Sequence, residues 1–543
     1  MITVSYSIQG GNLVEVGGAS RKLKEQLKRL GVQAEVMRRV MIAAYEAEAN
    51  VAIHAFRGTL FARLVDSRVD MEIVDQGPGI PDVALAMVAG YSTASEDARK
   101  LGFGAGMGLP NIKRASDRFE IETRVGRGTR ILSTVYFKPE TNAVAARSSA
   151  PHVRPDSCVA CLGCVRSCPM EAIRLVEDRP RVLEHLCIGC AACVEACRHA
   201  VFTVAEGTGE AGEQRVGDLG SGDLGSGDQG VEDGTVLAAP LAVLGGLGDS
   251  PEAVLDTLSS TGFREVRLFE EWEEVLVAKA LEIARSSGAP RPVIAPVCTA
   301  VVNLIESSYP SLIPNLVAAL TPAEAAAHEL ELSPVLVVVG CPAQASALQG
   351  AGSTGRVRVS TPSALAACVR AACRAGRPAP RDAAGERANT PGDSPSEGVI
   401  RADGVRRAIK VLAEAERGLL DDVAVLDLRA CEGGCAGSPL FAGDPAVNRL
   451  RLRRAGVGAR LGAEGRASVV ERSQPFAPRR GVRLDEDMRA AMEKLRLIDE
   501  LTRSLPGRDC AVCGAPSCAA HAEDIVLGRS GAGCPFGGTG GKR

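Results

Sequence analysis

Residues 158–169 read Cys-Val-Ala-Cys-Leu-Gly-Cys-Val-Arg-Ser-Cys-Pro, and residues 187–197 read Cys-Ile-Gly-Cys-Ala-Ala-Cys-Val-Glu-Ala-Cys. One spacing, Cys-x2-Cys-x2-Cys-x3-Cys, therefore occurs twice in a segment of about fifty residues, 153–204. A segment this short cannot bury enough apolar surface to be robust on its own, so bound metal has to supply much of its folding energy. Disulfides are the competing use of the thiols. The first ten residues show no basic stretch followed by an apolar core, so no secretory signal is read there. The most apolar runs, such as Val335–Val339, fall far short of the roughly 20 residues that span a bilayer. A cytoplasmic protein with no membrane partner is expected. The cytosol keeps thiols reduced, and the 18 cysteines of the chain then point to metal.

Three closely spaced thiolates can bind neighbouring irons of one cubane while the backbone turns around it, and the fourth cysteine of each run serves the other cluster. The spacing thus assigns Cys158, Cys161, Cys164 and Cys197 to one [4Fe-4S] cluster and Cys187, Cys190, Cys193 and Cys168 to a second. Structural zinc would need four ligands per site and gives no reason for the doubled triplet. The segment resembles the bacterial two-cluster ferredoxin module, departing from it at Arg198, where a second proline often follows.

The chain has 543 residues, which suggests three or four domains. Its 63 basic and 66 acidic residues leave a net charge of −3, which argues against a nucleic-acid partner held by one basic surface. Aromatics are 3% of residues and Trp272 is the single tryptophan, so base-stacking platforms are not expected either. The expected fold class is α/β and α+β, multidomain. A nucleotide-binding domain is read over 1–138, the ferredoxin module over 153–204, a flexible Gly/Asp linker over 205–234, an α/β domain over 235–450 with an insertion at 376–398, and a small cysteine domain over 484–536. An Arg-rich stretch, 449–483, reads as a lead into a helix at 484–501.

In the last domain, Leu505-Pro-Gly-Arg-Asp-Cys510 is followed by Cys513, Gly514, Cys518 and Cys534. Four thiolates suit zinc as well as iron. The pattern resembles a small [4Fe-4S] domain attached to several redox enzymes, and that resemblance implies a cluster on Cys510, Cys513, Cys518 and Cys534.

Three further motifs are scattered: Ala295-Pro-Val-Cys298 with Asn303, Glu306 and Tyr309-Pro310 downstream; Gly340-Cys341-Pro342 after an apolar strand; and Cys431-Glu-Gly-Gly-Cys435. Together they resemble the catalytic domain of iron-only hydrogenases. The resemblance implies that Cys298, Cys341, Cys431 and Cys435 hold a [4Fe-4S] subcluster, with Cys435 the bridge to a diiron unit. Four ordinary core cysteines, zinc, or an intact diiron site are the competing readings. The residues also depart from the family: Val297 stands at the proton-shuttle cysteine, Gln344 at a lysine that bonds a diiron ligand, and Ala347 at a glutamate. Loss of a general acid–base group typically costs ~10²–10⁴-fold in rate, and a neutral amide forms a weaker bond than a cation. Hydrogen turnover is not expected. Cys368 and Cys373 remain, on an Ala-rich helical stretch, and read as structural.

The N-terminal region carries different chemistry. Glu46, Asn50 and His54 recur at i, i+4 and i+8 of a helical run and share a face. A strand, 68–74, leads into Asp75-Gln-Gly77-Pro-Gly79-Ile80; Gly102-Phe-Gly104-Ala-Gly106-Met-Gly108-Leu109 opens a helix whose bare amides can cradle phosphate; Gly126-Arg-Gly128-Thr129 precedes a last strand. The four boxes in this order resemble the ATPase family shared by histidine kinases, gyrase-type ATPases, chaperones and anti-sigma kinases, and most of all the small serine/threonine switch kinases of bacterial stress signalling. The resemblance implies a Bergerat-type α/β sandwich that binds ATP and Mg2+. It makes Glu46 the general base, Asn50 the Mg2+ holder and Asp75 the acceptor of the adenine amino proton. Gly77, Gly79, Gly104, Gly106, Gly108 and Leu109 would lie against the nucleotide, with Thr129 near the adenine. His54 reads as structural.

Two whole-protein readings follow. In the first, an iron–sulfur redox or hydrogen sensor controls an ATP-dependent serine/threonine kinase-like head that acts on a protein partner, with ferredoxin or a hydrogenase as redox partner. The switch would be a cluster-driven shift of the ferredoxin module, joined to the head by a linker at 138–151, that biases closure over the nucleotide. In the second, the clusters form a relay in an ATP-gated electron-transfer or hydrogenase-related oxidoreductase.

Overall fold

The computed structural model describes residues 2–13, 15–65, 68–100, 103–137, 148–204, 235–247, 254, 258, 262–330, 333–349, 357–374, 398–441, 444, 447, 467–479, 484–485, 487–530 and 533–537. The expected linker at 205–234 and the expected insertion, Gly398 apart, lie outside the described residues, as do 138–147 of the expected linker behind the head.

The head is a five-stranded antiparallel sheet: β1 (Ile2–Gln9), β2 (Arg57–Val65), β3 (Arg68–Asp75), β4 (Arg118–Arg124) and β5 (Gly128–Tyr136), in the order β1-β2-β3-β5-β4. Alternation fixes its inner face, because successive strand side chains point to opposite sides. Leu60, Ala62 and Leu64 of β2 are buried with Val69, Met71 and Ile73 of β3. Three helices cover that face: α1 (Gly18–Arg29), α2 (Ala34–His54) and α3 (Gly108–Ala115). In α1, Leu23 and Leu27 recur one turn apart and are fully buried.

The ferredoxin-like segment has little regular structure. Strand β6 (His152–Val153) pairs with β9 (Phe202–Thr203), and β7 (Ile173–Val176) with β8 (Arg179–Val182). Two one-turn helices, α4 (Gly163–Ser167) and α5 (Ala192–Ala196), carry Cys164 and Cys193. Leu162 and Ala191, at matching positions before them, both take the left-handed conformation (φ 61° and 63°).

Two parallel sheets make the next unit. One has the order β11-β10-β13-β14 from β10 (Val236–Ala239), β11 (Glu265–Leu268), β13 (Val335–Val338) and β14 (Val357–Ser360). The other, β12-β16-β15, comes from β12 (Val293–Ile294), β15 (Val399–Asp403) and β16 (Val425–Arg429). Its helices include α6 (Phe269–Ala284), α7 (Thr299–Ser308), α8 (Pro342–Ala347), α9 (Pro362–Arg374), which includes Cys368 and Cys373, and α10 (Val405–Glu416). All four residues of β10 and of β13 are buried, as expected of parallel strands covered on both faces.

The last unit comprises α11 (Met488–Ser504) and α12 (Cys518–Val526). Helix α11 starts later than the apolar pattern suggests, because the Asp487 side chain accepts from the Ala490 amide at 2.8 Å and caps it. Leu484 lies before the helix and bonds instead through its amide to the Arg29 carbonyl at 2.9 Å. The described part of the Arg-rich stretch, 467–479, is more than a lead-in. It bridges at Ala319 and Glu471, and Arg472 pairs with Glu324 at 3.0 Å.

Candidate nucleotide pocket and cysteine quartets

Glu46 and Asn50 of α2, Asp75 at the end of β3 and Gly79 after it, Gly104, Gly106, Gly108 and Leu109 before and in α3, and Thr129 of β5 line one cavity. Asp75 Oδ1 accepts from the Gly77 amide at 2.8 Å and from the Thr129 amide at 3.1 Å. One carboxylate oxygen is thus fixed by backbone, which leaves the other free to meet a ligand. Burial raises the Asp75 pKa against those two bonds. Gly106 has φ +74°, and a Cβ there would meet the Gly90 carbonyl carbon at 2.5 Å. At Gly108 a Cβ would stand 2.8 Å from Asn50 Oδ1. The loop therefore closes on α2 only with bare backbone.

The Asn50 Nδ2 is buried without a hydrogen-bond partner. An orphaned amide group of this kind fits a phosphate acceptor, and the flipped amide presents its oxygen to a cation. Glu46 accepts from Asn111 Nδ2 at 2.7 Å, and Asn111 accepts from Arg114 at 2.8 Å. Burial nevertheless holds the Glu46 pKa above the usual carboxylate range, which makes it the stronger base once ionised. Burial also lowers the His54 pKa, against the pull of Asp75.

Sequence reasoning missed one wall of this cavity. Glu414, Leu419 and Leu420, at the end of α10 and just beyond it, line it together with the head residues. The contact is anchored by the ion pair of Lys24 with Glu416, which are 8% and 3% exposed. Ser311 donates to the same carboxylate, and Lys24 stands 4.0 Å from the centre of the Tyr309 ring. Arg417 lies 5.2 Å from the ring of Tyr45, the neighbour of Glu46. Lys24 and Glu416 are 392 positions apart, and no local pattern marks them.

Cysteines of the expected quartets lie near enough to influence one another's ionisation. Burial, then Cys197, Cys158 and Cys161, push the Cys164 thiol up to about 11. Burial, then Cys168 and Cys187, push Cys190 up to about 12, and Cys193 is raised by burial, then Cys187, Cys190 and Cys168. Cys341 is pushed up to about 12 by burial and then Cys298; Cys431 and Cys435 are raised well above their ordinary value, chiefly by burial. Cys513 is raised by burial, with Cys534 and Cys510 adding, and these three line a small cavity with Cys518. Each of these 16 thiols is free of disulfides. Buried thiols that hinder one another's ionisation are a donor set that a cationic iron–sulfur core compensates. Among the described residues, no three His, Cys, Asp or Glu side chains converge as donors to a single metal ion.

Cys298 and Cys341 sit at the N-termini of α7 and α8, and Cys431 follows β16, so the third quartet forms at the C-terminal ends of parallel strands. Val297 is buried, and the Gln344 Oε1 is occupied by the Gly340 amide at 2.7 Å. The ferredoxin-like segment docks here: the Ala343 amide donates to the Gly189 carbonyl at 3.3 Å, and Asn303 Nδ2 to the Ile188 carbonyl at 3.1 Å. Cys190 accordingly adds to the shifts at both Cys341 and Cys431. The same segment meets the C-terminal unit through the buried pair Arg174–Asp524 and a bond from the Leu175 amide to the Gly514 carbonyl at 2.8 Å. Helix α11 in turn packs Met488, Met492, Leu495 and Ile498 into the hydrophobic core of the head.

Known proteins resemble the chain piece by piece. The histidine kinase-like ATPase domain profile matches 12–134, the 4Fe-4S dicluster domain 150–198, the C-terminal domain of the iron-only hydrogenase large subunit 240–331, and a putative Fe-S cluster domain 505–536. The anti-sigma F factor of Caldanaerobacter subterraneus subsp. tengcongensis is 30% identical over 140 residues, 23% of this chain and 94% of that protein. The serine/threonine-protein kinase RsbT of Bacillus subtilis is 34% identical over 125 residues, 22% of this chain and 88% of that protein. An [FeFe]-hydrogenase HydA1 from Chlamydomonas reinhardtii superimposes with a TM-score of 0.30 at 17% identity, covering 44% of this chain and 87% of that one. The molecule is a kinase-like ATPase head fused to iron–sulfur domains. Through that head it belongs to the family of bacterial anti-sigma factors and RsbT-type serine/threonine kinases.

Proposed function

We propose that the protein is a redox-responsive switch kinase: its head transfers the γ-phosphate of ATP to a hydroxyl of a protein partner, under the control of its iron–sulfur domains. Asn50 would hold Mg2+ on the phosphates, Asp75 would accept from the adenine amino group, and Glu46 would take the proton of the acceptor hydroxyl. The cysteines grouped as 158/161/164/197, 187/190/193/168, 298/341/431/435 and 510/513/518/534 would each hold a [4Fe-4S] cluster, which supplies a store for one electron. The domain boundaries would follow the sequence reading, with 467–479 joined to the hydrogenase-like unit.

One observation carries this reading. Glu414, Leu419 and Leu420, from the unit that holds the third quartet, line the cavity that holds Asn50 and Asp75. A charge change at Cys431, beyond the end of β16, reaches α10 through β15 and β16, against which α10 packs. The path from cysteine to nucleotide runs through α10, where the sequence suggested the ferredoxin segment and its linker. Val297 and the engaged Gln344 support a scaffold that senses without turning over hydrogen.

Phosphoryl transfer from ATP to a partner protein, measured anaerobically with the protein reduced and then oxidised, tests the proposal. Different rates are expected, and identical rates would remove the switch. Evolution of hydrogen from a reduced dye, or infrared bands of iron-bound cyanide and carbonyl, would favour the oxidoreductase reading instead.

A further inference from the structure

Helix α12 opens at Cys518 and turns His521 inward. Its side chain is 1% exposed, and neither Nδ1 nor Nε2 has a hydrogen-bond partner. A buried polar group left unsatisfied is costly, and here both nitrogens of one ring are unsatisfied. The imidazole lines the same small cavity as Cys510, Cys513, Cys518 and Cys534. Other polar groups nearby are already engaged: Asp509 accepts from the Cys518 amide at 2.7 Å, and Arg508 stacks 5.0 Å from the Phe536 ring centre. Asp524, one turn along α12, is engaged elsewhere: Oδ2 pairs with Arg174 and Oδ1 faces Arg529 at 3.7 Å.

Resting on the reading of this quartet as a cluster site, we infer that His521 donates a ring N–H to a sulfur of the iron–sulfur cluster held by Cys510, Cys513, Cys518 and Cys534, and thereby sets its reduction potential. His521 is a positioning and tuning residue, not a ligand, because the four thiolates complete the set. A donor to sulfur stabilises the extra negative charge of the reduced form, and hydrogen bonds to the sulfurs are among the factors that fix the potential of such clusters. The C-terminal unit would then be the site whose potential this chain adjusts with its own side chain.

The test compares the anaerobically purified full chain with His521→Leu and His521→Gln, by iron content, by potentiometric titration followed by electron paramagnetic resonance, and by pulsed resonance for nitrogen coupling. All three proteins are expected to hold the same iron. One reduction step should move to more negative potential in His521→Leu and lie between the two in His521→Gln, whose amide can still donate. A weak nitrogen coupling present in the wild type should vanish in His521→Leu. Equal potentials in the three proteins would overturn the inference and leave the ring to a buried water. A strong coupling with iron lost from both variants would overturn it in favour of ligation. If His521→Leu alone loses iron, the comparison of His521→Gln with wild type decides, and equal potentials there overturn it. Wild-type protein with about twelve irons and no cluster at this quartet would refute the underlying reading before any substitution is made.

Discussion

The head and the ferredoxin-like segment solve the same problem with opposite means. The head buries a continuous set of large apolar side chains from α1, α2, β2, β3 and β5, and also takes Met492, Leu495 and Ile498 from α11. In the ferredoxin-like segment's own cluster the buried apolar side chains are Val165, Ile173, Val201 and Phe202 around Cys164 and Cys193, with Ala511 lent by the C-terminal unit and partly buried residues such as Leu162 and Leu175 packed against them. Full burial of one Leu or Ile side chain is worth about 1.5–3 kcal/mol, so four such residues hold far less than the head's core does. One region is stable by composition; the other is stable by what its thiols bind and by what its neighbours lend.

Metal removal should separate them most sharply. Chelation under reducing conditions is expected to abolish hydrogen-exchange protection across 148–204 while β2, β3 and β5 stay protected. Equal loss in both regions would show that the head depends on the clusters for its fold. Within the head, Glu46→Gln should lower phosphoryl transfer by ~10²–10⁴-fold with ATP binding kept. Because burial raises the Glu46 pKa, the acid limb of the wild-type rate should lie above the pH of an ordinary glutamate. The sign for stability follows. The penalty of the ionised buried carboxylate is present above its folded pKa and absent below its unfolded one. Glu46→Gln should therefore melt no lower than wild type at neutral pH, and that relative gain should vanish in acid.

The joints between regions carry smaller effects. Glu416→Ala leaves Lys24 buried and unpaired, a loss of about 3–5 kcal/mol, read as a lower denaturation midpoint of the head and weaker nucleotide binding. Gly514 has φ +87°, and a Cβ there would meet the Leu175 carbonyl at 2.1 Å. Gly514→Ala should cost about 1–3 kcal/mol and loosen the C-terminal unit from the ferredoxin-like segment, seen as faster exchange at the Leu175 amide. Arg417→Ala removes a cation–π contact with Tyr45, about 0.5–1 kcal/mol, together with a bond to the Ala413 carbonyl of its own helix, and should shift ATP affinity by a few fold at most.

What the sequence revealed was local. Spacing alone grouped the eight cysteines between 158 and 197, because closely spaced thiolates wrap one cluster, whereas the quartets 298/341/431/435 and 510/513/518/534 and the roles expected of Asn50 and Asp75 came from resemblance to known families. What stayed hidden was long-range. Lys24–Glu416 and Arg174–Asp524 join residues 392 and 350 positions apart, and charged residues carry no periodic signal of burial. The stretch 449–483 read as a polar lead-in because its arginines conceal that Arg472 is matched by Glu324 and Arg479 by Glu306. His521 was missed for the same reason: on an Ala-rich helix, nothing in the sequence says which way a histidine faces.

The central claim is a linkage between the cysteine quartets and the nucleotide cavity across α10. Linkage is reciprocal, so a potentiometric titration of the intact protein with and without saturating ATP and Mg2+ tests it without knowledge of any substrate. The account predicts that at least one reduction step shifts when nucleotide is bound, and that the shift is lost in Glu416→Ala. Superimposable curves, with ATP binding confirmed in the same sample, would contradict it.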